Sequence, residues 1–330
     1  MARGKREAES SGTGGILVSA ALVVLIALAI WACTRPPKQQ QPDTTRASAA
    51  KTTETLPGTT ATPATVRIAS WNVLNLGEDT PVDERAEIAA QFDIVALQEV
   101  ESLGGVERLR RRIEQVSGTS WGEAASPKTG TGNAAEYYVF LYRNDRVKGV
   151  PEGPRGVYPE ASATDFSREP SFATFKAGNS GFTLVTVHVT FASGAAITAE
   201  VGRLADAWTY VQNLDPKEND VLLMGDFNRD KPTHTAFSRL KALGVTNVIA
   251  GDGVFTTLGS KANQVGSNWY DNIWIDRQYT AHEFTGRFGV DPIHLRYYQN
   301  SEHPHLEVRK RISDHCPVWA EFEVSEADDD

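Results

Sequence analysis

Seven short apolar runs in this chain each end in, or begin beside, a polar side chain that a packed core does not need. Asn72 follows "RIASW", Gln98 and Glu99 follow "DIVAL", and Glu136 precedes "YYVFLY". His188 follows "TLVTV", Asp226 and Asn228 follow "VLLMG", Asp271 precedes "NIWI", and Asp314 and His315 precede "CPVWAEFE". A polar group at a strand end loses hydration unless another partner replaces the water. One such residue is accounted for by a turn. Seven, all Asp, Glu, Asn, Gln or His, gather at one sheet edge if the strand directions permit.

The runs themselves constrain the fold. Strand-like segments at Val66–Trp71, Ile94–Gln98, Tyr137–Tyr142, Phe172–Phe175, Phe182–His188, Val221–Met224, Tyr270–Ile275 and Val318–Val324 alternate with helical patterns. The helical patterns cover Val82–Phe92, Val106–Val116, Ala196–Leu214 and Thr233–Leu243. In the third, Val201, Leu204, Trp208 and Val211 share one helix face. Interleaving of this kind predicts a layered α/β domain over residues 64–325.

Residues 1–63 differ in kind. After a polar segment at 1–14 comes "GILVSAALVVLIALAIWAC", Gly15 to Cys33, without a charge. At 1.5 Å per residue it spans roughly 28 Å, close to the hydrocarbon thickness of a bilayer. No small-x-small cleavage site follows, so the run reads as an uncleaved signal anchor. Arg3, Lys5 and Arg6 before it balance Arg35, Lys38 and Arg46 after it, so charge does not orient it. An N-terminal anchor before a long C-terminal domain places that domain outside the cytoplasm, in a single-pass cell-membrane protein. Residues 34–63 are rich in Pro, Thr, Gln and Ala and read as a flexible tether; residues 326–330 form an acidic tail.

Charge narrows the function. The 330-residue chain carries a net −9. Setting aside the seven Lys/Arg and four Asp/Glu of residues 1–63 leaves 26 against 38, or −12, on residues 64–330. That excludes a protein that coats nucleic acid through Lys and Arg. It leaves room for an enzyme whose cation meets the phosphate. Cys33 and Cys316 cannot build a disulfide framework or a cysteine-rich zinc site. Phosphodiester hydrolysis needs a cation on the nonbridging oxygens, a base for water and an acid near the leaving oxygen. Glu99 and Asp314 offer carboxylates of the kind Mg²⁺ takes, and Asn72 and Asn228 position without adding charge. His188 and His315 titrate near neutrality, each with an acidic candidate partner in Glu136 or Asp271.

"RIASWNVLNLG", "DIVALQEVES", "TLVTVHVTF", "DVLLMGDFNRD", "WYDNIWI" and "ISDHCPVWAEFE" resemble, in order, the motifs of the endonuclease/exonuclease/phosphatase superfamily. "DFSREPSFATF" and "YYVFLYRNDRV" place the resemblance in its deoxyribonuclease I-like branch. It covers nearly all of residues 64–325. The resemblance implies a four-layer α/β/β/α sandwich of two packed mixed sheets, with the site at their loop edge. It implies Glu99 as the principal metal ligand with Asn72 beside it, and Asp314 in the metal or phosphate cluster. Asp226 and Asn228 correspond to the pair that orients water and phosphate. His315 corresponds to a base supported by Asp271, and His188 to an acid or oxyanion stabiliser supported by Glu136. Arg168 corresponds to a phosphate-facing arginine. The implied cofactor is Mg²⁺, with Mn²⁺ or Ca²⁺ as alternatives. The implied partner is nucleic acid as substrate, DNA before RNA, and the expected state is a monomer.

The chain departs from that branch where a duplex is gripped. An arginine that enters the minor groove is Glu101 here, a groove-stacking tyrosine is Ala134, and a small disulfide loop before "SREP" has no cysteine. Hydrolysis is therefore the firmer expectation than preference for double-stranded DNA. A phospholipid or inositol phosphate headgroup is the rival substrate, favoured by the anchor. A surface binding module without catalysis is the rival of another class, opposed by the intact set of polar residues.

Overall fold

The computed structural model describes residues 64–162 and 165–326. The apolar run at 15–33, the tether at 34–63 and the end of the acidic tail lie outside them. Among the described residues no helix is long and apolar enough to cross a membrane.

In chain order the strands are β1 (Thr65–Leu76), β2 (Ile94–Val100), β3 (Trp121–Ala125), β4 (Tyr137–Arg143), β5 (Val147–Gly149), β6 (Arg155–Val157), β7 (Ser171–Ala177) and β8 (Ser180–His188). They continue as β9 (Val221–Asp226), β10 (Val245–Asn247), β11 (Leu258–Lys261), β12 (Gln264–Gly266), β13 (Asp271–Asp276), β14 (Phe284–Val290) and β15 (Val318–Glu323). The helices are α1 (Asp83–Ala89), α2 (Leu103–Ser117), α3 (Gly194–Gln212), α4 (Ser238–Ala242) and α5 (Pro304–Arg311). One sheet has the order β14-β15-β1-β2-β4-β3, the other β10-β13-β9-β8-β7-β5 with β6 also on β7. β11 and β12 pair apart from both.

Each sheet has one parallel pair at its centre, β1 with β2 and β8 with β9. Parallel neighbours need a crossover, which α1 supplies in one sheet and α3 in the other. Strand alternation then sorts the side chains. From β1, Val66 and Ile68 enter the core between the sheets, where they meet Leu184, Leu222 and Met224. Ala69 and Trp71 enter a second core under α1, α2 and α5, with Ile88, Leu109 and Val308. A third core lies under α3 and α4, where Val201, Leu204 and Trp208 pack on Val185 and Leu223. Helices, sheet, sheet and helices form the four layers expected.

Helix ends follow local chemistry. The Ser102 hydroxyl accepts from Gly104 and Gly105 at the start of α2, and Gly118 closes it at φ 68°. Arg110, Arg111 and Arg112 of α2 pair with Glu114, Glu107 and Asp83, so these arginines form a solvated helix face. Gln98 differs from the other strand-end residues. It is buried between the sheets, donating to Ser70 Oγ at 3.1 Å and Thr186 Oγ1 at 2.9 Å. The segment expected as a helix over Thr233–Leu243 is instead a 3-10 turn at Thr235–Phe237 followed by the single turn of α4.

Candidate active site

β1 and β2 end at the same edge of the sandwich as β8 and β9, which collects their polar residues. The register aligns His188 with Asp226 and Asp226 with Asp271 across three strands. Gly225 makes this alignment possible. Its φ is 146°, and a Cβ there would lie 2.0 Å from the Val187 carbonyl oxygen. Only glycine lets β9 come this close to β8. In the other sheet the register of β1 and β2 shifts between Asn72 and Leu76, and that of β2 and β4 between Leu97 and Val100. Glu99 sits in this irregularity at φ 58°, a left-handed conformation rare for a side-chain-bearing residue. Bulges re-aim side chains, and this one turns the Glu99 carboxylate to the cleft.

Asp226 is the hub. Its Oδ2 lies 3.6 Å from His188 Nε2, 3.6 Å from His315 Nε2 and 3.3 Å from the Asn72 amide nitrogen. Its Oδ1 accepts the Asn228 backbone N–H at 2.9 Å. Each imidazole is backed on its far side by a second carboxylate. His188 Nδ1 lies 3.0 Å from Glu136 Oε1, and His315 Nδ1 lies 2.8 Å from Asp271 Oδ2. Tyr138 Oη accepts the His188 backbone N–H at 2.8 Å, and Thr256 Oγ1 donates to Asp271 Oδ2 at 2.6 Å. Glu99, Arg168, His188, Asp226, Asn228, Asp314 and His315 all face one cleft of about 520 Å³.

Burial alone would lower the His315 pKa, but the Asp271 and Asp226 carboxylates overcome it and push it up to about 10. His188 is raised for the same kind of reason, burial being outweighed by Glu136 and then by Asp226. Burial raises Asp271, with His315 opposing; its Oδ1 is buried with no hydrogen-bond partner. Neutral His315 therefore gains population only on the alkaline side. If that form is the base, the rate rises with pH over a range above the usual histidine titration. Asp271→Asn removes a raising charge and moves this rise to lower pH. A kcat/KM–pH profile tests it; a rate that falls with pH over the range would make His315 an acid instead.

The remaining candidates occupy definite places. Asn228 Nδ2 donates to the Val189 carbonyl at 2.7 Å, tying the loop after β9 to the end of β8. The Arg168 guanidinium is buried, with Nε donating to the His188 carbonyl at 3.1 Å and Nη1 to the Ala134 carbonyl at 3.2 Å. Two of its nitrogens thus brace the cleft wall. Asp314 is ion-paired with Arg309 at 3.1 Å. Asn72 Oδ1 takes the Leu74 N–H, while its amide nitrogen donates to Glu99 Oε1 at 2.8 Å as well as to Asp226. As a metal ligand Asn72 would need the opposite orientation, oxygen toward two carboxylates. In the orientation present it braces the Glu99 carboxylate.

Two places in the cleft have donors for a divalent cation. Asp226, Asp271 and His315 offer ligand atoms within 4.8 Å of one another. Within that group His315 Nδ1 is already engaged with Asp271 Oδ2 at 2.8 Å, and a protonated His315 would repel a cation. Glu99 is the better fit. Its oxygens accept from Asn72 Nδ2 and the Asn75 N–H, and the half-buried carboxylate faces the cleft. Even with both imidazoles protonated, Glu99, Glu136, Asp226 and Asp271 outnumber His188, His315 and Arg168 by one, which disfavours a bare phosphodiester anion.

A family model described as the Endonuclease/Exonuclease/phosphatase family matches residues 69–315. A deoxyribonuclease of Thioalkalivibrio sp. (strain K90mix) is 32% identical over 268 residues, 79% of this chain and 72% of the relative. Deoxyribonuclease-1 of Gallus gallus is 30% identical over 212 residues, 60% of this chain and 74% of that one. An endonuclease/exonuclease/phosphatase family protein from Bacteroides thetaiotaomicron has a similar fold, with a TM-score of 0.55 at 16% identity over 79% of this chain and 98% of that one.

Proposed function

The chain belongs to the endonuclease/exonuclease/phosphatase family, in its deoxyribonuclease I-like branch, and from that premise we propose a divalent-metal-dependent nuclease that hydrolyses phosphodiester bonds of DNA. The observation that carries this reading is the single Asp226 oxygen placed between two imidazoles, each backed by its own carboxylate. A hub of this kind holds a water and moves a proton on either side of it.

In the proposed reaction Asp226 orients the water, and the water's oxygen forms a bond to phosphorus as one ester P–O bond breaks. Neutral His315, set by Asp271, accepts the water's proton. His188, set by Glu136, donates a proton to the leaving oxygen or to the charge that develops on the phosphate. Asn228 and Arg168 hold the phosphate, Arg168 through whatever part of its fork the two carbonyls leave unused. Glu99 would hold a divalent cation, with Asp314 beside the phosphate, and that ion would supply neutralisation of the phosphate's negative charge. Mg²⁺ is the proposed ion, with Mn²⁺ or Ca²⁺ as substitutes.

Full-length protein incubated with supercoiled plasmid and Mg²⁺ is expected to nick it, to stop in excess chelator and to resume when Mg²⁺ is restored. No nicking, together with release of phosphate from phospholipid or inositol phosphate, would replace the nuclease reading by the headgroup reading. That alternative draws its support from the uncharged run Gly15–Cys33 and the tether after it. The same run supports a cell-membrane protein with its catalytic domain outside the cytoplasm. Recovery of the full-length protein in the soluble fraction of lysed cells would dismiss the anchor.

A further inference from the structure

The loop after His188 displays an aromatic ring that the reaction does not use. Phe191 is 77% exposed, more than any other large apolar side chain among the described residues, and it stands on the wall of the catalytic cleft. Its backbone is not loose. Val189 N–H donates to the Asp226 carbonyl at 2.9 Å, and the Val189 carbonyl accepts from Asn228 Nδ2 at 2.7 Å. Thr190 N–H donates to Glu200 Oε1 at 3.2 Å, and the Ser193 hydroxyl accepts from Ala196 N at the start of α3. The chain is pinned on both sides of an exposed stretch at residues 191–196, and Phe191 is the one large apolar side chain in it. Tyr270, half-buried, lines the same cleft.

A phosphate on the floor of this cleft has its nucleotide's base projecting up a wall. An exposed aromatic fixed there offers that base a flat partner, and stacking of this kind tolerates any sequence. A base within a duplex already has both faces covered by its neighbours, so the ring is useful only to an unpaired or displaced base. The charge agrees. Residues 64–330 carry a net −12, and Glu101, two residues beyond Glu99, is exposed, so backbone phosphates supply little affinity and contact with a base has to supply more. We propose that Phe191 forms a nucleobase-stacking subsite that directs the enzyme to single-stranded or locally unpaired nucleic acid. This rests on the nuclease reading and adds the form of substrate to it.

The test uses full-length protein, a mixed-sequence oligodeoxynucleotide as single strand and as duplex, and the same strand with one abasic site moved along it. Loss of one stacked base corresponds to about 5- to 150-fold, so Phe191→Ala is expected to lower the single-strand to duplex ratio of kcat/KM within that range. Phe191→Trp keeps the ratio. In the wild type one abasic position carries a penalty, and in Phe191→Ala that penalty disappears. Binding of the intact strand in chelator, read by fluorescence anisotropy, weakens in Phe191→Ala and not in Phe191→Trp. An unchanged ratio with an unchanged abasic penalty overturns the subsite while leaving the nuclease in place. Binding that depends on Phe191 without cleavage of any nucleic acid overturns the nuclease reading alone. At 77% exposure the ring contributes little to packing, so truncation leaves the fold intact.

Discussion

Asp226→Ala is expected to lower turnover on DNA by at least about 10²-fold, and His315→Ala by a similar factor. The expectation comes from position as much as from chemistry. Asp226 is 1% exposed, and its two oxygens contact Asn72, His188, His315 and the Asn228 backbone. Its removal therefore takes away the group that orients the water and the charge that both imidazoles share. The His315 pKa then falls, since Asp226 is one of the two groups that raise it most. Steady-state kinetics with matched circular dichroism checks the first effect, and a histidine NMR titration checks the second. Wild-type turnover in a folded Asp226→Ala variant would remove this residue from the mechanism.

Gly225→Ala acts through the fold. A Cβ at 2.0 Å from the Val187 carbonyl meets backbone, so no side-chain rotamer relieves it, and φ 146° is itself unfavourable for alanine. Backbone strain of roughly 1–3 kcal/mol and a similar overpacking term together predict about 3 kcal/mol or more of lost stability. For a domain of this size that is a fall in Tm of about 6–12 °C. Activity is expected to fall further than stability accounts for, because the same contact sets the His188–Asp226 register. Differential scanning calorimetry and kinetics at a temperature well below the transition separate the two losses. An alanine variant with unchanged Tm would show that β8 and β9 do not need this close approach.

The sheet centres were legible in the sequence because both faces of β8 and β9 are buried. "FTLVTV" and "VLLMG" are near-continuous apolar runs for that reason, and each ends where the cleft begins. The edges were not. β14 reads "FTGRFGV", with four exposed residues and only β15 beside it, so its pattern never alternates clearly. α5 buries only His305 and Val308, too few positions to mark a helical face. Within the site, the acidic, amide and imidazole members announced themselves at strand ends, whereas Arg168 came only from the family resemblance. Their supports did not. Thr256, which donates to Asp271, lies in a loop 15 residues away in sequence, and Tyr138 looked like any aromatic of a buried strand. Phe191 was hidden similarly, since only the structure distinguishes an aromatic left in the cleft from one in the core. Gly225 was visible only as the last residue of the run "VLLMG", and its close contact with Val187 depends on a partner strand the sequence does not specify.

Crystals soaked with Mn²⁺ and a slowly hydrolysed phosphorothioate oligonucleotide would interrogate the assembled centre directly by anomalous scattering. The account predicts a manganese peak on the Glu99 carboxylate and a phosphorus position between His188 and His315, facing Asp226. A metal held instead by Asp271 and His315, or a phosphate bound outside this cleft, would contradict it.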